Sequence, residues 1–125
     1  MLTNFLCNKK GTEIIKDSEL KKFINKKGSK LWIKISNISK EEEKFLGDVF
    51  EIHPTTIEDI ESIQTRVKYE EFEEYTLIIF KGIKEVKENF IEDYNFSLII
   101  GKNYVISVDR GDSEIIEELS KNTKS

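Results

Sequence analysis

Four strand patterns follow one another between residues 67 and 109, with only short connections between them. Gly101-Lys102-Asn103, which joins the last two, is typical of a tight hairpin turn. The longest apolar run of the chain, Leu77 to Phe80, lies inside the second pattern. Strands joined this closely pair within one sheet. The four patterns cover residues 67–73, 75–86, 90–100 and 104–109.

Three further strand patterns lie in the first third of the chain. Residues 2–7 and 12–16 flank the turn-forming cluster Asn8-Lys9-Lys10-Gly11 and predict a hairpin. Residues 30–36 alternate apolar and polar side chains and predict a strand of their own.

Helix patterns lie between and after these strands. The first is expected to stop at Gly28, and Ser39 with Glu42 forms a capping box at the start of the second. A proline as first helical residue opens the third, because its missing N–H has no partner to lose there. The four patterns begin at Asp17 or Ser18, after Ser39, at Pro54 and near Ser113.

The order of these elements is β-β-α-β-α-α, then consecutive strands, then a last helix. It predicts one α/β domain over residues 1–125, with a mixed parallel and antiparallel sheet and helices packed against it. A chain of 125 residues is the length of a single domain and can bury a real core.

Composition narrows the class of protein. Charged residues make up 35% and hydrophobic residues 38% of the chain, which is typical of a soluble globular protein. No apolar segment approaches the roughly 20 residues of a membrane helix, and the N-terminus lacks the pattern of a signal peptide. The one cysteine favours a reducing, intracellular setting.

Charge is distributed unevenly along the chain. Residues 1–37 carry a net charge of +6, residues 38–74 carry −8 and residues 75–125 carry −2. The densest charge is acidic, which argues against a nucleic-acid binder and favours cations or basic partners. The same split allows oligomers in which the basic third of one copy meets the acidic third of the next.

Side chains that often carry chemistry have plain structural interpretations here. His53, the only histidine, precedes a proline at a helix start and is expected to be structural. Cys7 is expected to be a buried, inert thiol, and Trp32 a core or interface residue. No nucleophile is paired with a base, so we do not expect an enzyme.

Three clusters of acidic residues are candidates for a cation site. Residues 41–43 fall in the first turn of a helix, where negative charge suits the helix dipole, and predict a solvated face. Residues 70–74 suit an edge strand. Glu58 and Asp59 could give one or two oxygen ligands to a hard cation such as Mg²⁺, although spacing alone favours solvated acids.

The stretch His53-Pro54-Thr55-Thr56-Ile57-Glu58-Asp59-Ile60 resembles the H-P-L-x-x-E-D-I helix start of the CorA family of magnesium and cobalt channels. Residues 64–80 then follow its Q-R-P-K-x-E-x-Y-x-x-Y-x-F-I pattern. Leu31-Trp32-Ile33 upstream and the segment from Gly101 to Val108 downstream match two more pieces, in the family's order.

The resemblance is not complete. Thr55 replaces the usual Leu, Val67 replaces a Pro, Lys34 stands where an Asp is common, and one extra residue separates Gln64 from Arg66. The family's long stalk helix and two C-terminal membrane helices have no counterpart in residues 1–125. We therefore expect either a soluble fragment of a transporter or a standalone relative.

The resemblance implies an α-β-α sandwich that belongs, in the whole protein, to a homopentamer at the cytoplasmic face of the cell membrane. It implies that Mg²⁺ binds between neighbouring domains and favours channel closure, with Co²⁺ as a second ligand. Asp59 is the implied ligand and Glu58 the second candidate, with the partner ligands on an adjacent subunit. The zinc-transporting branch of the family and a standalone interaction domain remain alternatives.

Overall fold

The computed structural model of the chain describes residues 1–62, 67–86 and 90–109. The strands are β1 Leu2–Asn8, β2 Gly11–Ile15, β3 Lys30–Ser36, β4 Lys68–Glu71, β5 Thr76–Val86, β6 Phe90–Ile100 and β7 Tyr104–Asp109. A 3₁₀ turn over Asp17–Glu19 leads into the helical turn α1, Leu20–Phe23, and the longer helices are α2, Lys40–Phe50, and α3, Pro54–Glu61.

The seven strands form one sheet in the order β2-β1-β3-β7-β6-β5-β4. Strand β3 pairs with β7 in parallel, and the other neighbours pair antiparallel. The mixed α/β class predicted from the sequence is therefore confirmed. The predicted helix near Ser113 lies outside the described residues.

Alternation along β3 decides which face of the sheet the helices cover. Leu31, Ile33 and Ile35 are buried, and they share one core cluster with apolar side chains of α1, α2 and α3. The opposite face carries Trp32, which stacks on Phe5 with ring centroids 5.1 Å apart. Its Nε1–H donates to Ser107 Oγ at 2.8 Å, so Trp32 is a packed, half-buried residue.

Helix starts agree with the sequence more closely than helix ends do. Ser39 and Glu42 form the predicted capping box, and Pro54 is the first residue of α3 with His53 as its N-cap. The first helix is much shorter than predicted, because Asn103 Nδ2 donates to the Phe23 carbonyl at 2.9 Å, where α1 ends.

The prediction of a buried Cys7 was wrong. Cys7 lies near the end of β1, opposite Lys30 at the end of β3, and it is only partly buried. Thr12 Oγ1 lies 3.6 Å from its sulfur and can donate a weak hydrogen bond to it. A residue at the end of a strand has neighbours on fewer sides, so apolar character alone did not bury it.

Two glycines, Gly101 and Gly47, offer a matched test of the packing around the Tyr104 ring. A Cβ on Gly101 would lie 2.1 Å from the ring of Tyr104, which packs 4.8 Å from the Phe50 ring, centroid to centroid. A Cβ on Gly47, inside α2, would meet only Ile57 Cδ1 at 3.9 Å.

We expect Gly101→Ala to lower the free energy of unfolding by about 1–3 kcal/mol, because a buried ring must shift. Gly47→Ala should raise it by about 0.5–1 kcal/mol, because alanine loses less backbone entropy in a helix. Urea unfolding of both variants measures this, and equal effects of the two would contradict the packing at Tyr104.

Candidate functional site

The N-terminus of α3 is fastened to the turn between β4 and β5. The His53 ring stacks on Phe72 with centroids 5.0 Å apart. The His53 backbone N–H donates to the Tyr75 hydroxyl at 3.1 Å, and that hydroxyl also shares a hydrogen bond with Thr56 Oγ1 at 2.8 Å. His53 is thus the structural residue predicted from the sequence, and Tyr75 sets where α3 begins.

Helix α3 buries one side and exposes the other. Thr56 and Ile60 are buried, and Ile57 is half-buried. Glu58 is exposed and Asp59 half-buried. The predicted third apolar residue, Ile63, lies outside the described residues. The two candidate ligands therefore stand side by side on α3 in different environments.

Asp59 is bonded to a lysine of the neighbouring edge strand. Lys68 Nζ lies 2.5 Å from Asp59 Oδ2 and 3.2 Å from Glu70 Oε2. The Asp59 side chain is 26% exposed and that of Lys68 is 37% exposed. The hydrogen bond that Lys68 donates to Asp59, followed by the one that it donates to Glu70, raises the pKa of Lys68. A cation that binds Asp59 must therefore compete with a charged ammonium group.

Glu58 is the more accessible of the two carboxylates. Its backbone carbonyl accepts hydrogen bonds from the Ser62 N–H at 3.0 Å and the Ser62 hydroxyl at 2.8 Å, which closes the end of α3. Within the part of the chain that the structure describes, its side chain makes no ion pair. Glu58 can reach a cation without breaking a bond, whereas Asp59 cannot.

A second lysine binds the far end of the same helix. Lys40 pairs with Glu61 and lies 3.5 Å from Glu43 Oε1, and its pKa is raised, chiefly by the hydrogen bond to Glu61. Glu43 is only 9% exposed, so the solvated face predicted for residues 41–43 was wrong at this position. The sequence indicates the Lys40–Glu43 pair, because the two residues are three positions apart in a helix. It does not indicate the Lys40–Glu61 pair, because those residues are 21 positions apart.

Among the described residues, carboxylates outnumber the lysines that pair with them around α3. Glu43 and Glu61 pair with Lys40, Asp59 and Glu70 pair with Lys68, and Glu58 adds a fifth carboxylate. Their oxygen donors are of the kind that Mg²⁺ accepts. Among the described residues, no group of three or more Asp, Glu, His or Cys side chains is arranged to hold a metal ion. In these residues the donor type fits a hard cation, but a full set of ligands is not present.

Most of the chain matches a model of a known protein family. The model described as "CorA-like Mg2+ transporter protein" matches residues 27–125, which include α2, α3 and the five strands from β3 to β7. The chain belongs to this CorA-like family. The resemblance carried by the α3 start and the hairpin motifs is thereby confirmed.

Two curated relatives of this CorA-like chain are transport proteins by name. It is 28% identical over 97 residues to a putative metal ion transporter of Schizosaccharomyces pombe, covering 76% of the chain and 16% of that protein. It is 36% identical over 77 residues to the cobalt/magnesium transport protein CorA of Thermotoga maritima, covering 60% of the chain and 22% of that protein. The chain thus spans less than a quarter of either relative.

Solved structures share the fold. The full-length CmaX protein matches with a TM-score of 0.80 at 14% identity, over 98% of this chain and 38% of that one. The ZntB cytoplasmic domain from Vibrio parahaemolyticus matches with a TM-score of 0.74 at 13% identity, over 98% of this chain and 50% of that one. At such identities the likeness concerns fold. None of the helices in the described ranges has the length and apolar character of a membrane span.

The Tyr75 hydroxyl is expected to hold α3 in place. Tyr75→Phe should lower the free energy of unfolding by about 1–3 kcal/mol, because the buried Thr56 hydroxyl loses its partner. A double-mutant cycle with Thr56→Val should give a coupling energy of at least about 0.5 kcal/mol. Urea unfolding measures both.

Tyr69→Phe is the control. Its hydroxyl bonds Glu71 at 2.6 Å on an exposed strand, so we expect a loss below about 0.5 kcal/mol. A Tyr75→Phe variant no less stable than this control would show that the hydroxyl does not anchor α3.

Proposed function

We propose that this chain is the cytoplasmic regulatory domain of a CorA-like divalent-cation channel. In this role it senses intracellular Mg²⁺, with Co²⁺ as a related ligand, at sites shared between subunits of a homopentamer. The observation that carries the proposal is the half-buried Asp59, which Lys68 contacts on α3 within the residues that match the family model. The role is regulatory rather than catalytic.

The incomplete ligand set supports a shared site. Glu58 and Asp59 supply at most one or two carboxylates, and Mg²⁺ commonly takes that number while keeping several waters. A neighbouring subunit would add the remaining protein ligand. We therefore expect the chain alone to bind Mg²⁺ only in about the millimolar range or more weakly.

In such a site, Mg²⁺ competes with Lys68 for Asp59. When Mg²⁺ binds Asp59 it displaces the Lys68 ammonium group. A ligand from the adjacent subunit offsets the free energy lost in this displacement, but only when the subunits are packed together. The cation then favours the packed, closed arrangement by its difference in affinity between the two arrangements. This difference is what a ligand-gated closure requires.

Lys68 keeps its charge at physiological pH. Its pKa is raised in the folded chain, so the contribution of its protonation to stability is present below about pH 10.5, the usual lysine value, and is lost as pH rises through the raised pKa. Cellular pH changes therefore leave the competition unchanged, and the cation concentration alone controls it.

Removing the competing lysine should tighten cation binding. We expect Lys68→Gln to increase the affinity of the chain for Mg²⁺ about two- to fivefold, the effect of one exposed ion pair. An NMR titration with Mg²⁺, repeated with paramagnetic Co²⁺ to locate the site near α3, measures this. Lys44→Gln, an exposed lysine of α2 with the same charge change, is the control and should change little. Equal affinities for both variants would remove Lys68 from the site.

The role of Asp59 is tested in a channel that carries this chain. We expect Asp59→Asn to leave the fold intact and to weaken Mg²⁺-dependent closure, and Glu58→Gln to have the smaller effect. Current recordings at increasing Mg²⁺ measure closure. Closure at unchanged Mg²⁺ would exclude Asp59, and submicromolar Mg²⁺ binding by the chain alone would contradict a shared site.

Zinc is the second candidate ion, because the ZntB cytoplasmic domain has the same fold. The zinc branch predicts that Zn²⁺ uptake, rather than Mg²⁺ uptake, depends on the protein. The described donors around α3 are carboxylate oxygens, which Mg²⁺ prefers. Zinc sites typically contain nitrogen and sulfur ligands, so these donors favour Mg²⁺ over Zn²⁺. Uptake assays with both ions separate the two.

A further inference from the structure

A basic cleft lies at one end of the sheet, away from α3. It has a volume of about 820 Å³ and is bordered by the turn between β1 and β2, the segment that follows α1, and the turn between β6 and β7. Among the described residues that line it there is no Asp or Glu, although the whole chain carries a net charge of −4. Its charged lining consists of Lys9, Lys26, Lys27, Lys30 and Lys102.

Backbone contacts fix the walls of this cleft. Asn103 Nδ2 donates to the carbonyls of Phe23 at 2.9 Å and Ser29 at 3.4 Å, and the Asn103 carbonyl accepts from the Leu31 N–H at 2.9 Å. Gly28 has a φ of +82°, which lets the segment turn back toward the sheet. These bonds join the segment after α1 to the turn between β6 and β7, and the pairing of Cys7 with Lys30 places the end of β1 beside them.

In the described ranges, the five cleft lysines differ from the two lysines that pair with carboxylates of α3. Lys40 and Lys68 are each bound by two carboxylates. None of the five cleft lysines forms an ion pair with an acid in the described ranges. Like charges gathered around one concavity repel each other, and an anion in the cleft would offset this repulsion.

We propose that the basic cleft binds the polyphosphate group of a small molecule. Its volume falls within the roughly 300–1,000 Å³ of small-molecule sites. Its cations are all lysines, which bind phosphate as point charges, whereas planar bidentate recognition of carboxylates favours arginine. A phosphate chain can contact several ammonium groups at once. Inorganic triphosphate and a nucleoside triphosphate share this chemistry.

The first test titrates inorganic triphosphate into the 125-residue chain without divalent cations. We expect ¹H–¹⁵N chemical-shift changes to concentrate at residues 8–9, 25–30 and 102–103, and the affinity to fall as salt rises from about 50 to about 300 mM. Because no substitution is needed, this measurement does not depend on a variant that folds. Shift changes spread over all exposed lysines would overturn the proposal.

Matched charge variants locate the binding. Lys27→Gln with Lys102→Gln should weaken triphosphate binding about tenfold. Lys21→Gln with Lys44→Gln removes the same charge from exposed helix positions outside the cleft and should weaken it less than about twofold. Equal losses in both pairs would overturn the proposal by showing attraction to net charge alone.

Two further arms identify the occupant. ATP that binds more tightly than triphosphate would indicate a nucleotide, and equal affinities would indicate recognition of phosphate only; both support the cleft. Self-association in analytical ultracentrifugation that Lys27→Gln with Lys102→Gln abolishes, without triphosphate binding, would overturn it in favour of the acidic surface of a second copy. These tests use no Mg²⁺, so their failure leaves the proposed function standing.

Discussion

The parallel pairing of β3 with β7 joins parts of the chain that are more than 70 residues apart, as the Ser36–Asp109 hydrogen bond across a separation of 73 residues shows. It lines up Leu31 with Tyr104, and Ile33 with Ile106, in the centre of the sheet. Parallel strands need a long connection, and here that connection contains α2, α3 and the strands from β4 to β6. The pairing therefore decides where both the acidic residues of α3 (Glu58, Asp59 and Glu61) and the basic cleft are placed.

Around α3, the neighbouring elements are joined by polar contacts as well as by apolar packing. The Tyr75 hydroxyl bonds the start of α3, Lys68 bonds its middle and Lys40 its end. Partly exposed ion pairs such as Lys68–Asp59 contribute modestly to stability, so Lys68 can exchange for another cation at Asp59 at modest cost. A helix anchored by a buried hydroxyl and flanked by exchangeable ion pairs suits a site that gains and loses a cation.

The helix starts and most strands could be predicted because they depend on residues close together in sequence. The Ser39–Glu42 capping box, Pro54 at the first position of α3 and the alternation of Leu31, Ile33 and Ile35 follow from local geometry. Errors arose where a distant residue intervened. Asn103 ends α1 far earlier than Gly28 would, and packing buries Glu43 within a helix turn that was expected to be solvated.

The sequence by itself determined the alternation of elements, the family motif around Glu58 and Asp59, and the contrast between a basic first third and an acidic middle third of the chain. Only the tertiary structure decided that Lys68 neutralises Asp59 while Glu58 stays in solvent, and that five lysines from three segments line one cleft. The physical reason is range: helix and strand patterns depend on neighbours within about four residues. Ion pairs and clefts depend on which distant segments the sheet order places side by side.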